Sequence, residues 1–150
     1  MIFHPQHGVG QIQPIDRETI MGQASKSFVK VFFKRDKLTM IMRSDDLNEQ
    51  ARKIISKAES KRVLNHLKSG DATMSTRWQS RIKANESAIE SGDPFQLATV
   101  YKGLTQLEES GETLRAADRK HLKTSLEGLI EELAAALGQR RKKIEALITA

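Results

Sequence analysis

The sequence predicts an α+β fold, with a small SH3-like β module followed by an all-helical module, and two observations carry that prediction. Up to residue 43, short apolar runs rich in β-branched and aromatic residues alternate with turn formers. From about residue 44 the apolar spacing turns helical and stays so to residue 150. The change marks the expected domain boundary, giving modules at 1–45 and 46–150.

In the first module the best strands are Val9 to Ile15, Phe28 to Phe33 and Leu38 to Met42. They are separated by turns at His7-Gly8, Met21-Gly22-Gln23 and Lys34-Arg35-Asp36-Lys37. Several short strands in so few residues favour a strongly bent sheet or small barrel over an open sheet. In the second module, Ser56-Lys57-Ala58-Glu59 has capping-box spacing, and Val63, Leu64 and Leu67 follow as one apolar stripe before Gly70. A further helix is expected from Ser75 or Thr76 to about Glu90, with Gly92 as its stop. Asp93-Pro94-Phe95-Gln96 combines a capping Asp with Pro at the first helical position, so the next helix starts at Pro94 and presents Leu97, Val100, Tyr101 and Leu104. The longest helix is expected from Ala116 to Leu137, with Leu122, Leu126, Leu129, Ile130, Leu133 and Leu137 on one face and Gly138 at its end. A short basic helix from Gln139 to about Ile148 completes the chain.

Composition narrows the function classes. Hydrophobic residues make up 38% and charged residues 29% of 150 residues, which suits a folded globular chain and is too apolar for a disordered one. Cysteine is absent, so disulfides, thiolate metal sites and cysteine nucleophiles are excluded. There is no basic segment followed by an apolar run at the amino terminus and no run of 18 apolar residues; a cytoplasmic protein with no membrane partner is expected. The net charge of +6 is concentrated: residues 51–92 hold nine Lys/Arg against four Asp/Glu, whereas residues 93–150 hold nine of each. A basic middle third suits either a polyanionic partner, through release of condensed counterions, or simply a solvated helix face.

The templates of catalysis are not met. His4-Pro5-Gln6-His7 places two imidazoles three residues apart without a carboxylate or thiolate to complete a ligand set, and reads as a turn entering a strand. Gly8-Val9-Gly10 leads into a strand rather than a helix, so it lacks the helix terminus of a phosphate loop. No serine sits in a nucleophile-elbow sequence, and Glu131-Glu132 is expected on an exposed helix flank. A non-enzymatic protein without cofactor or metal is expected.

The most informative segment is Ser75-Thr76-Arg77-Trp78-Gln79-Ser80-Arg81-Ile82-Lys83. On a helix Arg77 and Arg81 share a face, and Trp78, the only tryptophan, lies beside them. A flat ring flanked by cations can stack on an unpaired base while the cations hold phosphates. It can equally anchor a helical core, with its indole N–H tied to a carbonyl. The residues alone leave both readings open.

Taken together, His4-Pro5-Gln6-His7-Gly8-Val9-Gly10-Gln11-Ile12, Leu38-Thr39-Met40-Ile41-Met42, Leu67-Lys68-Ser69-Gly70, Arg77-Trp78-Gln79-Ser80-Arg81, Ser91-Gly92-Asp93-Pro94-Phe95 and Glu131-Glu132-Leu133-Ala134 resemble the CarD family in order and spacing. The amino-terminal signature also resembles the polymerase-interacting module of transcription-repair coupling factors. The resemblance implies a Tudor-like module that binds the RNA polymerase β subunit, with its contact surface near Glu18, Ile20 and Ile41, by adding a sheet edge to a strand of the partner. It further implies a helical module that touches promoter DNA at the upstream edge of the melted segment. There Trp78 would be the wedge that hinders reannealing, and Arg77, Arg81 and Lys83 the phosphate contacts. An adaptor that binds polymerase without touching DNA is the alternative. The chain departs from the family's usual pattern at Glu18 and Ile41, where some members carry arginine, at Met42-Arg43-Ser44, at Ser80, and in a short leader that would leave the first strand short or absent.

Overall fold

The computed structural model describes residues 1–14, 28–69 and 74–150, and these divide into two units, Met1–Ile54 and Ile55–Ala150. The α+β class is as expected: an antiparallel sheet fills the first unit and helices make up the second.

The sheet has five strands, β1 (Ile2–His4), β2 (Gly8–Gln13), β3 (Phe28–Phe33), β4 (Leu38–Arg43) and β5 (Arg52–Lys53), in the spatial order β4-β3-β2-β1-β5. Alternation sets its faces. Along β4, Leu38, Met40 and Met42 are partly buried while Thr39, Ile41 and Arg43 are exposed, the period of a sheet with one face against a core. Ile2, Val31 and Phe33 form that core with Leu47, the single buried residue of the short helix α1 (Ser44–Gln50). The four-residue connection after β3 closes with Lys37 in the left-handed region at φ 51°.

The glycines of Gly8-Val9-Gly10 serve this packing. Gly8 takes φ 77°, which a side chain rarely tolerates. Gly10 pairs with Phe33 across β2 and β3, and a Cβ there would lie 2.6 Å from the Phe33 ring and 2.7 Å from Val31 Cγ1. The Phe33 ring thus fills space that only glycine leaves open. His4 and His7 complete the cluster: their ring centroids are 4.8 Å apart, and those of His7 and Phe33 are 5.1 Å apart.

The boundary expected after residue 45 is drawn later, at Ile54. The helical signal at 44–50 belongs to α1, which packs Leu47 beneath the sheet, and β5 then returns to pair with β1 at Ile2–Lys53 and Phe3–Arg52. A two-residue strand is too short to show a period, which is why the sequence reads as continuously helical there.

The second unit contains α2 (Lys57–Ser69), α3 (Trp78–Ser91), α4 (Pro94–Glu109), α5 (Ala116–Leu137) and α6 (Arg141–Thr149). Capping fixes their ends. The Glu59 N–H donates to Ser56 Oγ at 3.1 Å, the Phe95 N–H donates to Asp93 Oδ1 at 2.8 Å, and Gly92 and Gly138 end α3 and α5 at φ 67° and 62°. Val100, Leu104 and Leu107 of α4 meet Leu114, with Leu122 of α5 against them, while α6 buries Ile144 and Ile148. Glu132 is not on an exposed flank as expected: it is 1% exposed, and its Oε2 accepts from the Ile55 N–H at 3.0 Å, tying the lead-in of α2 to α5. Among the described residues no helix is long and apolar enough to cross a membrane.

Gly10→Ala is expected to destabilise the β unit by about 1–3 kcal/mol, the usual range for overfilling a packed site. Urea denaturation of the full chain, followed in the far-UV, measures it.

Candidate nucleic-acid interface

The site is built where α3 begins. Residues 75–77 do not join the helix, although the sequence pattern starts it there, because their backbone is used otherwise. The Arg77 N–H donates to Ser75 Oγ at 3.2 Å, and the Ser75 and Thr76 carbonyls accept from Arg81 Nη1 at 3.2 and 3.4 Å. Trp78 therefore becomes the first residue of α3, at a corner of the fold, and its side chain is 40% exposed. A ring this exposed is not enclosed by the helical core.

Arg81 corrects the expectation attached to it. It is 4% exposed, and its guanidinium forks onto Asp118 of α5, Nε to Oδ1 at 2.8 Å and Nη2 to Oδ2 at 2.6 Å. Asp118 is fully buried. A fork on a carboxylate satisfies both planar groups at once, which is the geometry that makes a buried ion pair tolerable. The pairing holds the Asp118 carboxyl below the usual carboxylate range, chiefly through the Arg81 hydrogen bonds and against the opposing effect of burial. A guanidinium placed here is not available to a phosphate. The cation was legible in the sequence, but its counter-charge lies 37 residues away.

Asp118 reaches one residue further. Its Oδ2 accepts from the Arg115 backbone N–H at 2.9 Å, closing the first turn of α5. The Arg115 side chain then lies over the Trp78 ring, with Cζ 4.0 Å from the ring centroid, within the range of a cation–π contact. Sequence reasoning missed Arg115 and Asp118, because nothing local to Trp78 or Arg81 points to them. Arg77, just before α3, and Lys83, on it, are both exposed. Arg77, with no acceptor in its side chain, stands at the N-cap position and leaves the first N–H groups of α3 without a side-chain cap. Exposed cations, a positive helix end and a partly exposed aromatic ring can together receive a nucleotide.

Of the expected polymerase-facing residues, Ile41 is 43% exposed on β4, which among the described residues pairs with β3 alone. Glu18 and Ile20 lie outside the described residues. His7 is engaged with Asp36, Nδ1 to Oδ2 at 2.9 Å, and among the described residues no three potential ligands gather as a metal site.

Two consequences for stability follow from the buried charges. Asp118→Ala orphans the Arg81 guanidinium and is expected to cost about 3–5 kcal/mol in chemical denaturation, more than a surface ion pair could account for. His121, one turn further along α5, is 7% exposed with its Nδ1 unpartnered, and burial pushes its pKa below the ordinary 6.5. The unfolded chain then binds a proton more readily than the folded one. Stability is expected to fall as pH drops through 6.5 toward the lowered folded value, and to fall again at more acid pH as Asp118 is protonated. Denaturation midpoints between pH 8 and pH 5 test this; His121→Asn is expected to flatten the helical unit's slope.

The comparisons with known proteins agree with this architecture. The family model described as "CarD, C-terminal domain" matches residues 62–149, which include α3, α4, α5 and α6. The chain is also 25% identical over 145 residues to the protein named "Putative transcription factor YdeB" of Bacillus subtilis (strain 168), covering 97% of this chain and 94% of the relative.

Proposed function

This chain belongs to the CarD family, and we propose that it acts as a cytoplasmic transcription regulator that docks on the RNA polymerase β subunit and steadies opened promoter DNA. The observation that carries the proposal is the exposed Trp78, held at the first position of α3 with a cation on its ring. A soluble fold has reason to bury its only tryptophan, since a large ring contributes heavily to a core. Keeping it at the surface, in the stretch that carries the excess positive charge, favours a nucleic-acid partner.

In this reading Trp78 wedges at the upstream edge of the melted segment and slows reannealing, at an unstacking cost offset by protein contacts. Arg77 and Lys83 hold phosphates, giving little base readout and a strong salt dependence. Arg81 contributes indirectly, by fixing the turn that presents Trp78. The β unit supplies recruitment: β4 offers strand pairing to the polymerase, with Ile41 beside that edge. The action is mechanical and uses no cofactor.

The test is the lifetime of the open complex formed by purified bacterial RNA polymerase with its primary sigma factor, without addition, with this protein, and with Trp78→Ala. The intact protein is expected to lengthen the lifetime. Trp78→Ala, still folded and still bound to polymerase, is expected to lose most of that effect. If both proteins bind and neither changes the lifetime, the chain is an adaptor and its helical unit does not act on DNA.

A further inference from the structure

We propose that Arg115 makes Trp78 a one-sided stacking platform, so that the ring receives a single unpaired base at the end of a duplex and does not intercalate into a paired step. The inference rests on the reading that Trp78 meets DNA, and adds to it a named positioning residue and the form of nucleic acid the site accepts.

An indole has two faces. Intercalation requires both, because the ring must stack on the base above and the base below. With Arg115 Cζ 4.0 Å from the centroid, one face is already covered by a planar guanidinium in van der Waals contact. The covering group is held from its root. The Arg115 backbone N–H is bonded to Asp118 Oδ2, and Asp118 is in turn fixed by the buried fork from Arg81. That same Arg81 bonds the Ser75 and Thr76 carbonyls on the approach to Trp78. Ring and cover are therefore anchored to one buried ion pair. Trp78 is nonetheless 40% exposed, and in this proposal that exposed surface receives the one base. The charge on the covered side keeps the stack attractive to a nucleotide, whose phosphate is drawn to the cation.

The experiment uses the full chain at low salt with two DNAs of equal length, one fully paired and one forked with 2-aminopurine as the unpaired base at the junction. Binding is followed by the fluorescence of the 2-aminopurine and, for proteins retaining it, by acrylamide quenching of Trp78, the chain's sole tryptophan. The intact protein is expected to prefer the fork. Arg115→Ala is expected to lower that preference about three- to tenfold, the scale of one cation–π contact, and to raise quenching as the second face opens, with the melting temperature unchanged. Arg115→Lys, which keeps the charge and loses the plane, is expected to fall between the two. If Trp78→Ala abolishes fork binding while Arg115→Ala matches the intact protein in preference and quenching, the positioning role is wrong and the DNA reading survives. If Trp78→Ala binds the fork as well as the intact protein does, both are wrong.

Discussion

Two opposite charges almost without access to water, Arg81 at 4% exposure and Asp118 at none, set the geometry of the helical unit's surface. Burying either alone would be prohibitive, so the helices that carry them must meet where the guanidinium fork and the carboxylate coincide. The apolar anchors of α3 are few, chiefly Ala88 and Ile89 against the cluster of Val100, Leu104, Leu107 and Leu114. The buried residues of α3 are Arg81 and Asn85, both polar, with Ile82, Ala88 and Ile89 only partly covered. A helix held by a two-pronged hydrogen-bonded ion pair cannot shift by a fraction of a turn without breaking both prongs. The corner at Ser75–Arg77, the exit of Trp78 into solvent and the root of Arg115 all follow from that pair.

The β unit reaches the same definition by shape. Gly10 has no side chain because Phe33 occupies the volume a Cβ would need, and Phe33 in turn packs against His7, which also meets the His4 ring and Asp36 in the turn between β3 and β4. A sequence stretch that superficially suggests phosphate binding is therefore a packing device. The paired histidines, which superficially suggest a metal, are part of an aromatic cluster.

Elements with a strong local cause were legible in the sequence. β3 and β4 follow from short apolar runs, rich in β-branched and aromatic residues, set between turn formers, α4 from the Asp93-Pro94 start, and α5 from its long apolar stripe and Gly138. What escaped depended on partners remote in the chain. The β5 strand exists because β1 is there to pair with it, and its two residues carry no period of their own. Glu132 looks like a surface acid until the Ile55 N–H is placed beside it. Arg81 looks like a phosphate ligand by helical spacing, and only the position of Asp118 shows that its charge is already matched. Trp78 was recognised by type and neighbourhood, whereas Arg115, the group touching its ring, has no sequence signal at all.

Because Arg81 and Asp118 are separated by 37 residues, the surface around Trp78 is completed late in synthesis. At ordinary translation rates, roughly 2–7 s pass between the emergence of α3 and the arrival of its counter-charge. During that interval α3 carries a guanidinium with no place to be buried, and docking it on α4 alone would strand a charge. The geometry around Trp78 is thus complete only after the first turn of α5 has been made. A chain interrupted before Asp118 would carry the tryptophan without the means to aim it.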